Sequence, residues 1–283
     1  MSRLLIAGCG YVGAKLGRAA AASGREVFGV RRRAMEADEG LHSIAADMTD
    51  RRALLALPDG IEWLVYAAAA DEFTEEAYRR CYGAALSGVV EAMRRQPQLR
   101  GAVLLSSTSV YERADGAWVD ETSPVDPSHF SGRAMLEAES ILRTLPCPTI
   151  ALRLGYIYGP GRSGIVSAAR REAETSASGA GHHENFIHVE DCVRAISFVL
   201  EHPSPAETYV VVDEEPALRT EVLAWIRQVL GLAAPSSDGP PLVRSKPPRG
   251  DKRCSSARLR EAGFRFRYPT YREGLSPLLR GEG

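Results

Sequence analysis

The chain is predicted to fold as an α/β protein built on a doubly wound, mostly parallel sheet. Three observations lead there. Short apolar runs of strand length recur five times, each followed by a segment of helical spacing, and a sixth run, Thr149 to Leu154, comes after them. Such alternation places helices on both faces of a parallel sheet. The first run, Leu4 to Ala7, leads into Gly8, Gly10 and Gly13, spaced G-x-G-x-x-G. Val12, Leu16, Ala19 and Ala20 then recur at the spacing of a helix.

Strand, glycine turn and helix in this order give the spacing its chemical meaning. Gly8 permits the tight turn, Gly10 lets the backbone approach a pyrophosphate, and Gly13 lets the helix close on the strand, with Gly17 one turn later on the same face. The helix start offers N–H groups and a positive dipole end to a diphosphate. A dinucleotide site over Gly8, Cys9, Gly10, Tyr11, Val12 and Gly13 is therefore expected, in a Rossmann-type domain.

Glu26 to Val30 reads as the second strand, ending at Arg31, Arg32 and Arg33. An acid at this position would bind the ribose 2′-hydroxyl of NAD. None is present, and Arg31 and Arg32 are placed to pair with a 2′-phosphate. NADP is the expected cofactor and NAD the alternative. Only Lys15, Lys246 and Lys252 among the 35 basic residues are lysines, so an arginine-biased surface loop is the competing explanation. Ser43 to Ala46 forms a third strand, with Asp47 and Met48 placed to meet an adenine and Asp50 to cap a helix over Arg51 to Leu57. Turn and cap formation alone would also account for the aspartates. Ile61 to Tyr66 is the fourth strand. It ends in Ala67, Ala68 and Ala69, small enough for a cofactor to lie against the backbone.

Tyr78, Tyr82, Ala85, Val89 and Met93 define a long amphipathic helix over 74–95, in which Gly83 and Gly88 mark close packing. Ala102 to Leu105 is the fifth strand and runs into Ser106-Ser107-Thr108-Ser109-Val110-Tyr111. Residues 112–130 read as a polar loop and Arg133 to Arg143 as a helix. Past Tyr158-Gly159-Pro160-Gly161, residues 175–183 read as a loop, and Asn185 to Val189 and Tyr209 to Val212 as strands. Asp191 stands at the start of a helix over 192–200. A helix over 219–230, a linker over 233–250 and a helix-plus-strand unit over 252–271 follow. The expected division is a dinucleotide-binding domain of 1–158 with 184–213, and a smaller substrate-side lobe of 159–183 with 214–283.

A formal charge of −1 gives no electrostatic case for nucleic acid or an anionic membrane. No apolar run approaches the roughly 20 residues that span a bilayer, and the chain enters its first strand without room for a signal peptide. Cys9, Cys81, Cys147, Cys192 and Cys254 are scattered, without the paired spacing of metal ligands. His182-His183 is too short a cluster to argue for metal. The expectation is a cytoplasmic protein with reduced thiols and a small-molecule substrate, with no metal, nucleic acid or membrane; the oligomeric state is open.

Four markers stand in the order found in one family: Gly8/Gly10/Gly13; Ser106 to Tyr111; Arg153-Leu154-Gly155-Tyr156-Ile157-Tyr158-Gly159-Pro160-Gly161; and Ile187-His188-Val189-Glu190-Asp191. In these the chain resembles the extended short-chain dehydrogenase/reductases, the NAD-dependent epimerases and dehydratases. Its segment from Lys252-Arg253 to Gly274 looks most like the atypical YeeZ-like subgroup. The resemblance implies a serine that binds the reacting oxygen, a tyrosine that transfers the proton and a lysine that tunes the tyrosine. It puts the serine at Ser107, with Thr108 or Ser109 in support. Aligned on Ala138-Glu139, the tyrosine position holds Ser131 and the lysine position Met135. Neither titrates near neutrality, and no lysine lies between Lys15 and Lys246.

Histidine is the side chain suited to acid–base work near neutrality, which makes His129 one candidate to carry the proton, and Tyr158 in the YGPG turn is the other. Tyr111 and His188 read as structural. Arg153, Arg162 and Arg253 could bind an anionic substrate but read as surface or sheet-end groups. The expected function is that of an NADP-dependent oxidoreductase or epimerase on a small hydroxyl or carbonyl, sugar-like compound, with Ser107, His129 and Tyr158 as catalytic candidates. The alternative is a non-catalytic protein that senses NADP(H).

Overall fold

The computed structural model describes residues 2–34, 40–171, 181–202, 207–232 and 250–281. The chain divides into two compact units. The first comprises Met1–Val110, Val125–Arg153 and Cys192–Tyr209; the second comprises Tyr111–Pro124, Leu154–Asp191 and Val210–Gly283.

The first unit is organised by a seven-stranded sheet of β1 (Arg3–Ala7), β2 (Glu26–Arg31), β3 (Leu41–Ala45), β4 (Trp63–Tyr66), β5 (Gly101–Ser107), β7 (Thr149–Leu154) and β11 (Thr208–Val211). Their order is β11-β7-β5-β4-β1-β2-β3. β1 pairs in parallel with both β2 and β4, as β2 does with β3 and β4 with β5. This is the doubly wound α/β arrangement that the strand–helix alternation predicts. Leu4, Leu5, Ile6 and Ala7 are fully buried, as a central strand covered on both faces requires. The winding reverses between β1 and β4, which opens a crevice beyond their carboxyl ends.

The helices mostly follow the sequence reading, with physical reasons where they depart. α1 (Tyr11–Ala22) buries Val12, Gly13, Leu16, Gly17 and Ala20. Asp50 caps α2 (Arg51–Leu54), its carboxylate accepting from the Arg52 N–H at 2.9 Å. The long helix expected over 74–95 is interrupted. α3 (Glu75–Tyr78), capped by Thr74, passes into a π-helical segment, Arg79–Ala85, before α4 (Leu86–Met93). A Cβ at Gly88 would stand 2.9 Å from Leu54 and 3.0 Å from the Met48 carbonyl, so the expected close packing is real there. α5 (Phe130–Leu142) starts earlier than Arg133, because His129 caps it.

α5 also carries a buried ionic network. Glu139 is 1% exposed and accepts from both arms of the Arg153 guanidinium at 2.9 Å each and from the Ser106 hydroxyl at 2.7 Å. Arg153 is therefore a buried structural group, not the surface or sheet-end residue its position suggests.

In the second unit, β6 (Ala114–Val119) lies inside the stretch expected to be loop. It pairs in parallel with β13 (Asp251–Cys254). The Arg253 Nε donates to the Gly116 carbonyl at 2.6 Å. The Asn185 side chain clasps β13, donating to the Lys252 carbonyl and accepting from the Cys254 N–H. β8 (Tyr156–Tyr158) pairs with β10 (Phe186–His188), and β9 (His183–Glu184) with β12 (Ala217–Leu218). Around them run α6 (Gly164–Arg171), α8 (Arg219–Val229) and α9 (Ala257–Glu261). A further helix, α10 (Tyr271–Leu279), begins at the end of the unit expected over 252–271 and is opened by a Thr270–Glu273 capping box.

α7 (Val189–Glu201) begins before the expected Cys192. Asp191 sits in its first turn, and its carboxylate accepts from the N–H groups of Arg267 and Tyr268. Residues 175–180 of the expected loop and 233–249 of the expected linker lie outside the described residues. Among the described residues no helix is long and apolar enough to cross a membrane.

Candidate functional site

The crevice beyond β1 is shaped by its glycines, each in a different way. Gly8 has φ +98°, and a Cβ there would run into the backbone of Ala68. Close contact with the end of β4, as well as turn geometry, demands glycine at this position. A Cβ at Gly13 would stand 2.5 Å from the Gly8 carbonyl and 3.1 Å from Ile6, so α1 closes on the turn and strand as expected. Gly10 is the opposite case: a Cβ there would meet nothing within 4 Å. The helix start beside it has no side-chain cap and no acid in its first turn. An open, uncapped helix start reached by bare backbone is the cradle a diphosphate fits. Cys9 is fully buried with its sulfur toward Gly29, so only its backbone faces the turn's outer side. Burial raises its thiol above the ordinary range, which keeps it protonated. Tyr11 and Val12 occupy the first turn of α1.

The other expected cofactor contacts stand at the carboxyl ends of β2, β3 and β4. Arg31 ends β2 and is exposed. Arg32 follows it and is held by Asp71, with bonds of 2.8 Å and 2.5 Å to the two carboxylate oxygens. Asp47 accepts from the Thr49 N–H at 2.8 Å and from its hydroxyl at 2.7 Å; these bonds hold its carboxyl below the usual carboxylate range. Met48 is half-buried. The Ala67 N–H donates to the Ala7 carbonyl at 2.8 Å, Ala68 lies against Gly8, and Ala69 is exposed.

Ser107 ends β5 on the same edge of the sheet, and its Oγ accepts from the Ser109 N–H at 3.1 Å. α5 begins against this turn. A Cβ at Gly132 would stand 2.6 Å from the Ser109 carbonyl and drive into Pro127, so glycine is what lets the two segments touch. Gly132→Ala should therefore cost about 1–3 kcal/mol as an overpacked contact, measured as a drop in thermal midpoint. An unchanged midpoint would show that the helix start is loosely held.

Nδ1 of His129 accepts from the Ser131 N–H at 3.3 Å and lies 2.9 Å from the Ser131 hydroxyl. With Nδ1 accepting from the backbone, the hydroxyl is the donor and Nε2 carries the ring proton. The imidazole is exposed and stacks on Phe73 at 5.5 Å. Ser131 is 5% exposed and Met135 2%. The resemblance puts Ser131 at the tyrosine position, and the structure joins it to His129, two residues earlier, whose ring caps the helix.

Tyr158, the remaining catalytic candidate, lies in the second unit. It is fully buried against Phe186, His188 and the backbone of Gly274. Its hydroxyl has no hydrogen-bond partner among the described residues. Burial, with Asp213 and Asp191 nearby, pushes the phenol far above its ordinary value. Tyr111 is buried, and His188 accepts from the Glu190 N–H. His182 pairs with Glu184 and His183 with Asp251. No group of three or more metal-ligating side chains occurs among the described residues. A cavity of about 230 Å³ in this unit lies beside the Gly159–Gly161 turn, α6 and the end of α10. None of the expected site residues lines it.

The chain belongs to the NAD-dependent epimerase/dehydratase family, whose model matches residues 4–212. Protein YeeZ of Escherichia coli strain K12 is 30% identical over 290 residues, covering 95% of this chain and 97% of YeeZ. Two solved structures share the fold over nearly their full lengths. MoeE5, in complex with UDP-glucuronic acid and NAD, is 23% identical with a TM-score of 0.82, covering 99% of this chain and 98% of its own. Human epimerase family protein SDR39U1 with NADPH is 20% identical with a TM-score of 0.80, covering 98% of this chain and 99% of its own.

Proposed function

We propose that this chain is an NADP-dependent oxidoreductase or epimerase acting on a small hydroxyl or carbonyl compound of sugar-like kind. The observation that carries the reading is the open cradle at Gly10, on the same sheet edge as Ser107 and the Ser131–His129 pair. Gly8 to Gly13 would hold the diphosphate, Arg31 and Arg32 the 2′-phosphate, Asp47 and Met48 the adenine, and Ala67 to Ala69 the central body of the dinucleotide. The bound nicotinamide supplies or takes the hydride.

The rest is the work of this chain's own groups. The Ser107 Oγ already accepts from Ser109, which leaves its hydrogen to donate to the reacting oxygen. In the oxidative direction the substrate hydroxyl gives its proton to the Ser131 Oγ as Ser131 passes its own to Nδ1 of His129. The exposed ring then releases a proton from Nε2 to water. The pair thus stands in for the tyrosine that the resemblance puts at residue 131. Buried Tyr158 has no part in this relay.

Incubating the protein with NADPH or NADP against aldehydes, ketones, polyols and nucleotide sugars, and following NADPH absorbance, tests the activity. Once a substrate is found, His129→Asn, which keeps a capping side chain, should lower kcat by about 10²–10⁴. It should leave the dinucleotide affinity unchanged. Full activity in His129→Asn would remove the relay.

A second reading, of a protein that senses the NADP/NADPH ratio without turnover, is favoured by one observation. Met135, which the resemblance puts at the lysine position, is buried and carries no charge. It requires unequal affinities for the two redox forms, and equal affinities by calorimetry would end it.

A further inference from the structure

The strand that should present an acid to the adenosine ribose, β2, ends in arginine instead. The fold brings an acid to that place from elsewhere. Asp71 follows β4, Arg32 follows β2, and in the sheet these two strands flank β1. The bond between them therefore links the two sides of the crevice that opens beyond β1. Both oxygens of Asp71 are engaged by the Arg32 fork, and the Arg80 Nη2 approaches one of them at 3.4 Å. Asp47 lies close enough to act on the Arg32 charge as well. The Arg32 and Asp71 side chains are 62% and 43% exposed, so the pair adds little to folding and remains open to a ligand.

We propose that Asp71 is the residue that sets the choice between the two nicotinamide dinucleotides, an inference that rests on the dinucleotide site described under the proposed function. A carboxylate accepts hydrogen bonds from a ribose diol and repels a 2′-phosphate. While it holds Arg32 by both arms, it also occupies the guanidinium face that a phosphate would use. NADP(H) must draw Arg32 away from Asp71 and settle beside its charge. NAD(H) needs neither change. The chain therefore discriminates between the two less than the row Arg31-Arg32-Arg33 suggests, and Asp71 is the brake on its preference for the phosphorylated form.

Calorimetric titration of NADPH and NADH into the wild type, Asp71→Asn, Arg32→Gln and the double variant tests this without any turnover. Asp71→Asn should raise the NADPH-to-NADH affinity ratio by about tenfold, the effect of removing one close like charge at a solvated site. The rise should shrink in the double variant, which loses the part that acts through Arg32 and keeps the direct repulsion. If the wild type binds a dinucleotide but Asp71→Asn leaves the ratio unchanged, Asp71 does not select and the cradle reading stands. An undiminished rise in the double variant would equally refute the route through Arg32. If no form binds either nucleotide, the dinucleotide site itself is wrong and the inference falls with it.

Discussion

Glu139→Ala should destabilise the first unit by about 3–5 kcal/mol, because it leaves the Arg153 charge buried without its carboxylate. The loss includes both bonds to Arg153 and the one from Ser106. Replacing both partners by apolar residues, as in Glu139→Leu with Arg153→Met, should restore most of the stability. The penalty comes from an uncompensated charge and not from the absence of a bond. Denaturant unfolding of the single and double variants measures both quantities. A single variant that loses less than about 1 kcal/mol, within the range of an exposed pair, would show that water reaches the network.

The second large effect separates two glycines that look alike in sequence. Gly8→Ala should prevent stable folding, since its φ is +98° and its Cβ would enter the backbone at Ala68. Gly10→Ala should fold normally. Its φ of −94° suits other residues, and no atom stands within 4 Å of the new carbon. That carbon would occupy the space a pyrophosphate needs, so the variant should lose dinucleotide affinity by about tenfold or more. Thermal melts and nucleotide titration on the same preparations distinguish the two. A Gly10→Ala protein that binds as well as wild type would place the diphosphate somewhere other than this turn.

These contrasts show where the sequence was informative. β1, the glycine turn and α1 were legible because their signal is local: a buried run, three bare positions and a helical stripe within Arg3 to Ala22. The same holds for the other sheet strands and for the cap at Asp50. What escaped depends on partners far along the chain. β6 reads as loop because Asp115-Gly116 is a turn pair and its pairing partner comes after residue 250. Arg153 reads as a surface cation because its carboxylate lies on another element.

The most instructive gap is at Arg32. β2 carries no acid at its end, yet nothing local announces that Asp71 comes to Arg32 from beyond β4. α10 differs: its Thr270-x-x-Glu273 box is a local signal, but Pro277 stands inside the helix and the unit expected over 252–271 ends where the helix begins.

The pairing of β6 with β13 also bears on how the chain is born. Arg253 reaches Gly116 across 137 residues. At a synthesis rate of about 5–20 residues per second, β6 leaves the ribosome on the order of ten seconds before its partner exists. Through that interval its backbone edge and Trp118 are without their mate, the condition in which strands recruit neighbours on a crowded polysome. The burden of avoiding such encounters falls on Arg113 and Asp120, which flank the waiting strand, and on Asp115 within it.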